Sequence, residues 1–133
     1  MNDLLKRTLT GAVYVASVLA AIYFNPIISS IYFGIIGLIA LSEFYNITSK
    51  NCQKINPILA YLTAIFLYIT VAFFSFDLNF KIPLLISVVL FVAIFIVALY
   101  QKNEKPFTSI AYTICGLIYI ILPISTTNII IQY

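Results

Sequence analysis

The sequence predicts an all-α, polytopic membrane protein with about five transmembrane helices, and three observations carry that prediction. Hydrophobic residues make up 63% of the 133-residue chain and charged residues 8%, against about 45–50% and 25% in ordinary globular domains. Seven basic and four acidic side chains are too few to cover the surface of so short a domain, which therefore needs lipid around it. The apolar residues also fall into five runs cut by short polar punctuation, without the strict alternation of outer-membrane strands. The same figures exclude a disordered chain and a disulfide-stapled secreted module, and no nucleic-acid partner is expected.

The first run, residues 9–24, ends at Asn25-Pro26, and the second, 27–41, gives way to Ser42-Glu43. Proline at 26 pushes Asn25 out of the helical region, which suits a tight hairpin. These runs hold 16 and 15 residues, at or just below the spanning range of about 17–25. Interfacial Lys6, Arg7, Phe44 and Tyr45 extend them, since basic side chains snorkel and aromatic rings sit at the headgroups. A single re-entrant hairpin is the alternative. Lys6-Arg7 with Val18-Leu19-Ala20 loosely fits a cleaved leader, but the apolar run continues to Phe24 and a second span follows at once, so a retained helix is expected. The runs 57–76, 82–100 and 107–131 are long enough to cross. In 82–100, fourteen residues are Ile, Leu, Val or Phe, which favours insertion by several kcal/mol at roughly 0.5 kcal/mol each. Pro123 interrupts the last run.

Five spans sort the basic residues. Lys6, Arg7, Lys50, Lys54, Lys102 and Lys105 fall on one side and only Lys81 on the other. Cytoplasmic loops carry the positive excess, so a cytoplasmic N-terminus is expected.

Little in the chain carries chemistry by itself. There is no histidine, hence no Ser-His or Cys-His pair. Cys52, in a polar loop, and Cys115, in an apolar run, read as small loop and packing residues rather than metal ligands. The carboxylates Asp3, Glu43, Asp77 and Glu104 all lie outside the middle of a span, which weakens an ion-pump reading. No catalytic, cofactor-binding or metal-binding residue is assigned. Ala12, Ala16 and Ala20 form a smooth strip at four-residue spacing, and Gly34 with Gly37 makes a notch on the second span; both suit close helix packing. Glu43 ends the second span where a carboxylate gains nothing from the helix dipole. It is a candidate to pair with Lys6 or Arg7 or to face a substrate. Lys6-Arg7 serves as a topology signal and as a candidate contact for anionic headgroups.

Three stretches together suggest a family: Leu5-Lys6-Arg7-Thr8 before a Gly11-containing span, Ser42-Glu43-Phe44-Tyr45 after the second, and Ala111-Tyr112-Thr113 running through Gly116-Leu117-Ile118-Tyr119-Ile120 to Leu122-Pro123. In that order they resemble the N-terminal half of bacterial phosphatidate cytidylyltransferase, also called CDP-diacylglycerol synthase. The resemblance covers essentially the whole chain. It implies a multi-pass protein of the bacterial inner membrane that, when complete, condenses CTP with phosphatidate to CDP-diacylglycerol and pyrophosphate with Mg²⁺. It further implies that metal-binding aspartates and a basic, glycine-rich signature belong to a C-terminal half; no Lys-Asp pair, His-Gly-Gly or Asp-Arg occurs here. The expectation is therefore a fragment that is inactive alone, with the bilayer, phosphatidate and CTP as partners of the complete enzyme and a homodimer as a further possibility. The competing expectation is a small non-enzymatic membrane scaffold working through the Ala12/Ala16/Ala20 strip. Half of a transporter ranks last, because no internal repeat is evident.

Overall fold

A computed structural model describes residues 2–50, 57–101 and 104–132, and within them the regular structure is all helix. Helices α1 (Asp3–Phe24) and α2 (Pro26–Ser49) are separated by Asn25 alone. Helices α3 (Pro57–Ser75) and α4 (Lys81–Tyr100) follow. The last stretch, Pro106–Gln132, is built from α5 (Pro106–Gly116), a π-helical turn (Leu117–Ile121) and α6 (Leu122–Gln132). These five stretches are long and apolar enough to cross a membrane. Cys52, Lys54 and Lys102 lie outside the described residues.

The first two helices outrun the apolar runs 9–24 and 27–41. They hold 22 and 24 residues, about 33 and 36 Å of helix at 1.5 Å per residue, so each alone exceeds a bilayer core of about 30 Å. Hydropathy stops at the first charge, but the backbone ladder does not. Asp3 in the first turn of α1 suits the helix dipole. At the far end of α2 the hydroxyls of Ser42 and Thr48 donate to the carbonyls of Ile39 (2.7 Å) and Phe44 (2.9 Å). The same back-bonding quiets hydroxyls within the apolar segments, as with Thr63 on Leu59, Thr70 on Phe66 and Ser87 on Leu84. A hydroxyl satisfied within its own helix carries little penalty in hydrocarbon.

The turns follow from local chemistry. Asn25 is extended at φ −168° and its Oδ1 accepts the Ile27 N–H at 3.1 Å, with Pro26 in the first helical position. After α3, Asp77 takes the left-handed conformation at φ 54°. The Leu78 and Asp77 N–H groups reach back to the carbonyls of Phe73 (2.9 Å) and Phe74 (3.3 Å), a Schellman closure. Pro83 and Pro106 stand in the first turns of α4 and α5, where a missing N–H costs nothing. Pro123 is different, because it sits inside a span. The chain there widens into the π turn, and Leu122 N–H bonds the Leu117 carbonyl five residues back, one of the local adjustments that tolerate proline in membrane helices.

Helices α2, α3, α4 and the Pro106–Gln132 stretch pack together, whereas α1 packs chiefly on α2. The buried cluster is small: Leu41, Tyr45, Ala60, Ala64, Ile94, Leu117 and Ile121. Large apolar side chains such as Leu19, Val89 and Ile130 stay more than half exposed, as lipid-facing residues do.

Candidate functional site at the basic end of the bundle

Because Asn25 is the whole α1–α2 connection, Arg7 and Glu43, each 18 residues from it, stand at about the same height, roughly 27 Å along the helix axes. The start of α1, the end of α2 and the start of α5 thus bring Lys6, Arg7, Glu43, Lys50 and Lys105 to one end of the bundle. The opposite end carries Asn25, Asp77, Asn79 and Lys81. At the basic end, Lys6, Arg7 and Glu43 are all exposed, and Glu43 forms no ion pair with either basic residue. Among the described residues no three Cys, Asp or Glu side chains converge as metal ligands.

What the structure does bring together are two of the sequence stretches. Tyr45, 5% exposed, donates its hydroxyl to the Thr113 carbonyl at 3.0 Å. Its ring meets Phe44 and Tyr61 edge-on, with centroids 5.8 and 6.0 Å away. Gly116 lies so close beneath that a Cβ there would stand 3.0 Å from both the Phe44 and Tyr45 rings. The string Ser42–Tyr45 and the string Ala111–Gly116, 68 residues apart at the Tyr45–Thr113 bond, therefore form one contact below the exposed Glu43. The roles of Tyr45, Thr113 and Gly116 escape sequence reasoning. Their only signal is their place in the two strings, since a tyrosine at a helix end reads equally well as an interfacial anchor. A cavity of about 20 Å³ beside Thr113, lined also by Gln101 and Ser109, has room for one water.

The packing candidates divide. A Cβ on Gly34 would stand 3.0 Å from the Tyr68 ring, and one on Gly37 would be 3.5 Å from Ile124, so this notch receives α3 and α6. Ala12, Ala16 and Ala20 are exposed; α1 instead turns Ser17, Val18 and Ala21 inward. Ser17 gives its hydrogen to the Tyr14 carbonyl (2.7 Å), so Tyr32 is the donor in their 2.6 Å contact. A second polar knot joins three helices: the Tyr68 hydroxyl lies 2.5 Å from the Ser30 carbonyl and 3.3 Å from Asn128 Oδ1. Asn128 is 2% exposed and its Nδ2 has no partner among the described residues. The single phenolic hydrogen serves Ser30, so the phenol oxygen is left to accept, and the Asn128 amide turned end for end supplies the donor.

Chemically, this end of the bundle can hold anionic headgroups against exposed cations and fix the register of α2 against α5, but its described side chains make no nucleophile–base pair. No curated protein and no solved structure matches the chain. The model of the cytidylyltransferase family matches residues 5–132, nearly the whole length on which those two strings and the basic N-terminal segment lie, and the chain belongs to that family.

Proposed function

We propose that the chain is the membrane portion of a phosphatidate cytidylyltransferase of the bacterial inner membrane, working in phospholipid synthesis. The observation that carries this reading is the family match over residues 5–132 on a chain whose five apolar stretches suit a lipid acceptor. The basic end faces the cytoplasm, where CTP is available and where the excess of Lys and Arg belongs. In the reaction a phosphatidate phosphate oxygen forms a bond to the α-phosphorus of CTP, the bond between the α and β phosphates breaks, and pyrophosphate leaves with its electron pair. Positioning and charge neutralisation dominate catalysis of this kind.

This chain's residues serve the lipid side. Lys6 and Arg7 attract the anionic headgroup, at about 1 kcal/mol per basic residue near the surface. Tyr45, Thr113 and Gly116 hold α2 and α5 in register beneath it, and Glu43 stands at the same rim. The Mg²⁺ that the family implies finds no ligand set here, because Asp77 lies at the opposite end from Glu43 and no three candidate ligands converge among the described residues. No step is therefore routed through a metal on the described residues.

The test is transfer of label from α-labelled CTP into organic-extractable lipid by the protein purified from its native membrane. Formation of CDP-diacylglycerol that depends on added phosphatidate is expected. Transfer only to a different acceptor would overturn the substrate assignment. Turnover by the 133 residues alone would overturn the assignment of these residues to the lipid side only. The exposed Ala12/Ala16/Ala20 face favours one second reading, a membrane scaffold or homodimer held through α1, which predicts a partner lost on Ala16→Leu while lipid transfer is absent.

A further inference from the structure

The π turn before Pro123 leaves one backbone group without a helical donor. Leu122 gives its N–H to Leu117, five residues back, so the Ile118 carbonyl loses the donor that an α-ladder would supply. The next donor along would be Pro123, which has no N–H. Ile118 and Leu122, which flank this carbonyl along the helix, are 54% and 40% exposed. The following residue, Tyr119, is 76% exposed, and its hydroxyl forms no hydrogen bond among the described residues. An unpaired acceptor and an unpaired donor therefore stand on consecutive residues of an outward face.

Their depth decides what can cover them. Tyr119 is the middle residue of Pro106–Gln132, with about 20 Å of helix on either side. A phenol does not reach the headgroups from there, and acyl chains offer neither donor nor acceptor. The group that pairs with them is protein: a membrane helix with a donor opposite Ile118 and an acceptor opposite Tyr119, at one height. A second copy of this chain carries that pair. Copies inserted in the same orientation are related by a two-fold axis along the membrane normal, which sets each residue at its own height. The axis also exchanges the two sides of the contact line, so Tyr119 on one side meets the partner's Ile118 on the other. Cys115 and Ala111, exposed one and two turns before Tyr119, are small enough to let the two backbones approach.

We propose that the outward face of Pro106–Gln132 is a homodimer interface, in which each Tyr119 hydroxyl donates to the carbonyl of Ile118 of the partner subunit. The contact lies on a different helix from Ala12, Ala16 and Ala20. It rests only on the chain lying in a bilayer, so its failure and the failure of the transferase reading are separate events.

The test uses the full chain carrying Cys52→Ser, reconstituted in phosphatidylcholine vesicles. Self-association is read by energy transfer between differently labelled copies over a range of protein-to-lipid ratios, and copper phenanthroline should link two copies through Cys115. Tyr119→Phe keeps the ring and deletes both symmetric hydrogen bonds, so it should weaken association at least fivefold. Tyr14→Phe, which removes the phenol of a 52% exposed tyrosine on α1, should leave it within twofold. Pro123→Ala restores an N–H five residues from Ile118 and should also weaken association. Because both changes delete the same bonds, the double variant should associate no more weakly than the weaker single one. Less than fivefold weakening by Tyr119→Phe, additive losses in the double variant, or energy transfer no greater than random collision would each overturn the proposal. So would linkage through Ala16→Cys on α1 in place of Cys115.

Discussion

Replacing Tyr68 by phenylalanine removes one oxygen and leaves the ring, so the contact with Gly34 survives while the polar knot between α2, α3 and α6 does not. The Ser30 carbonyl keeps its place in the α2 ladder, so its loss is limited to an interhelical hydrogen bond, about 0.6 kcal/mol on average and about 1.7 at most in a bilayer. Asn128 fares worse. It is 2% exposed, and without the phenol its amide has no side-chain partner, which costs about 1–3 kcal/mol for a buried polar group. The expected destabilisation is about 2–4 kcal/mol in all. It is measured by equilibrium unfolding in bicelles, with a steric trap or by titration with a denaturing detergent. The mechanism is tested by a cycle. In an Asn128→Leu background no amide is left to strand, so Tyr68→Phe should cost about 1 kcal/mol less there than in the native protein. Equal costs in the two backgrounds would refute the argument that Asn128 depends on Tyr68.

Three further outcomes follow from the same structure. Gly116→Ala places a methyl 3.0 Å from both the Phe44 and Tyr45 rings and should destabilise by about 1–3 kcal/mol, with a matching fall in the amount of protein folded in the membrane; Gly11→Ala, in open space, should be neutral or stabilising in the same unfolding assay. Asp77→Gly should be tolerated at its left-handed φ of 54°, whereas Asp77→Val should cost about 1–2 kcal/mol, since a β-branched residue resists that conformation. Ala16→Leu, on the exposed face of α1, should leave unfolding within about 0.5 kcal/mol of native and act, if anywhere, on self-association measured by crosslinking.

The number of helices long and apolar enough to cross was legible because insertion depends on summed side-chain transfer energies, which are local and additive. Their ends were less so. A hydropathy run ends at Ser42, whereas α2 continues to Ser49 because the interface tolerates polar side chains on an unbroken backbone ladder. Faces were harder still. Ala16 and Ala20 are as small as Ser17 and Ala21, one position along, and a rotation of α1 by a single residue exchanges one pair for the other. The sequence of α1 contains no reason to choose between them; the choice is made by Tyr32 on α2, whose hydroxyl finds Ser17 at 2.6 Å. The Gly34 notch was visible as a notch, but that Tyr68 fills it depends on the path of α3.

The orientation of the bundle joins these levels into a prediction that reaches function. If the basic end is cytoplasmic, a reporter fused after Lys54 behaves as internal and one at Asn79 as external, and the reverse pattern would overturn the orientation together with the placement of Lys6 and Arg7 beside the lipid phosphate. Glu43 then follows. It is exposed at the height of Arg7 and forms no ion pair among the described residues, so Glu43→Gln in the complete enzyme should leave activity within about twofold if the carboxylate is only solvated, the difference of an exposed charge worth at most a few tenths of a kcal/mol. A loss of a hundredfold would instead assign the carboxylate to substrate, because no ion pair among the described residues is there to account for it. Tyr45→Phe separates the two cases. Loss of the Thr113 bond alone loosens α2 on α5 and should lower stability by about 0.5–1.5 kcal/mol, so an enzyme that loses activity through Glu43 but only stability through Tyr45 has its lipid site at the rim and its scaffold directly below.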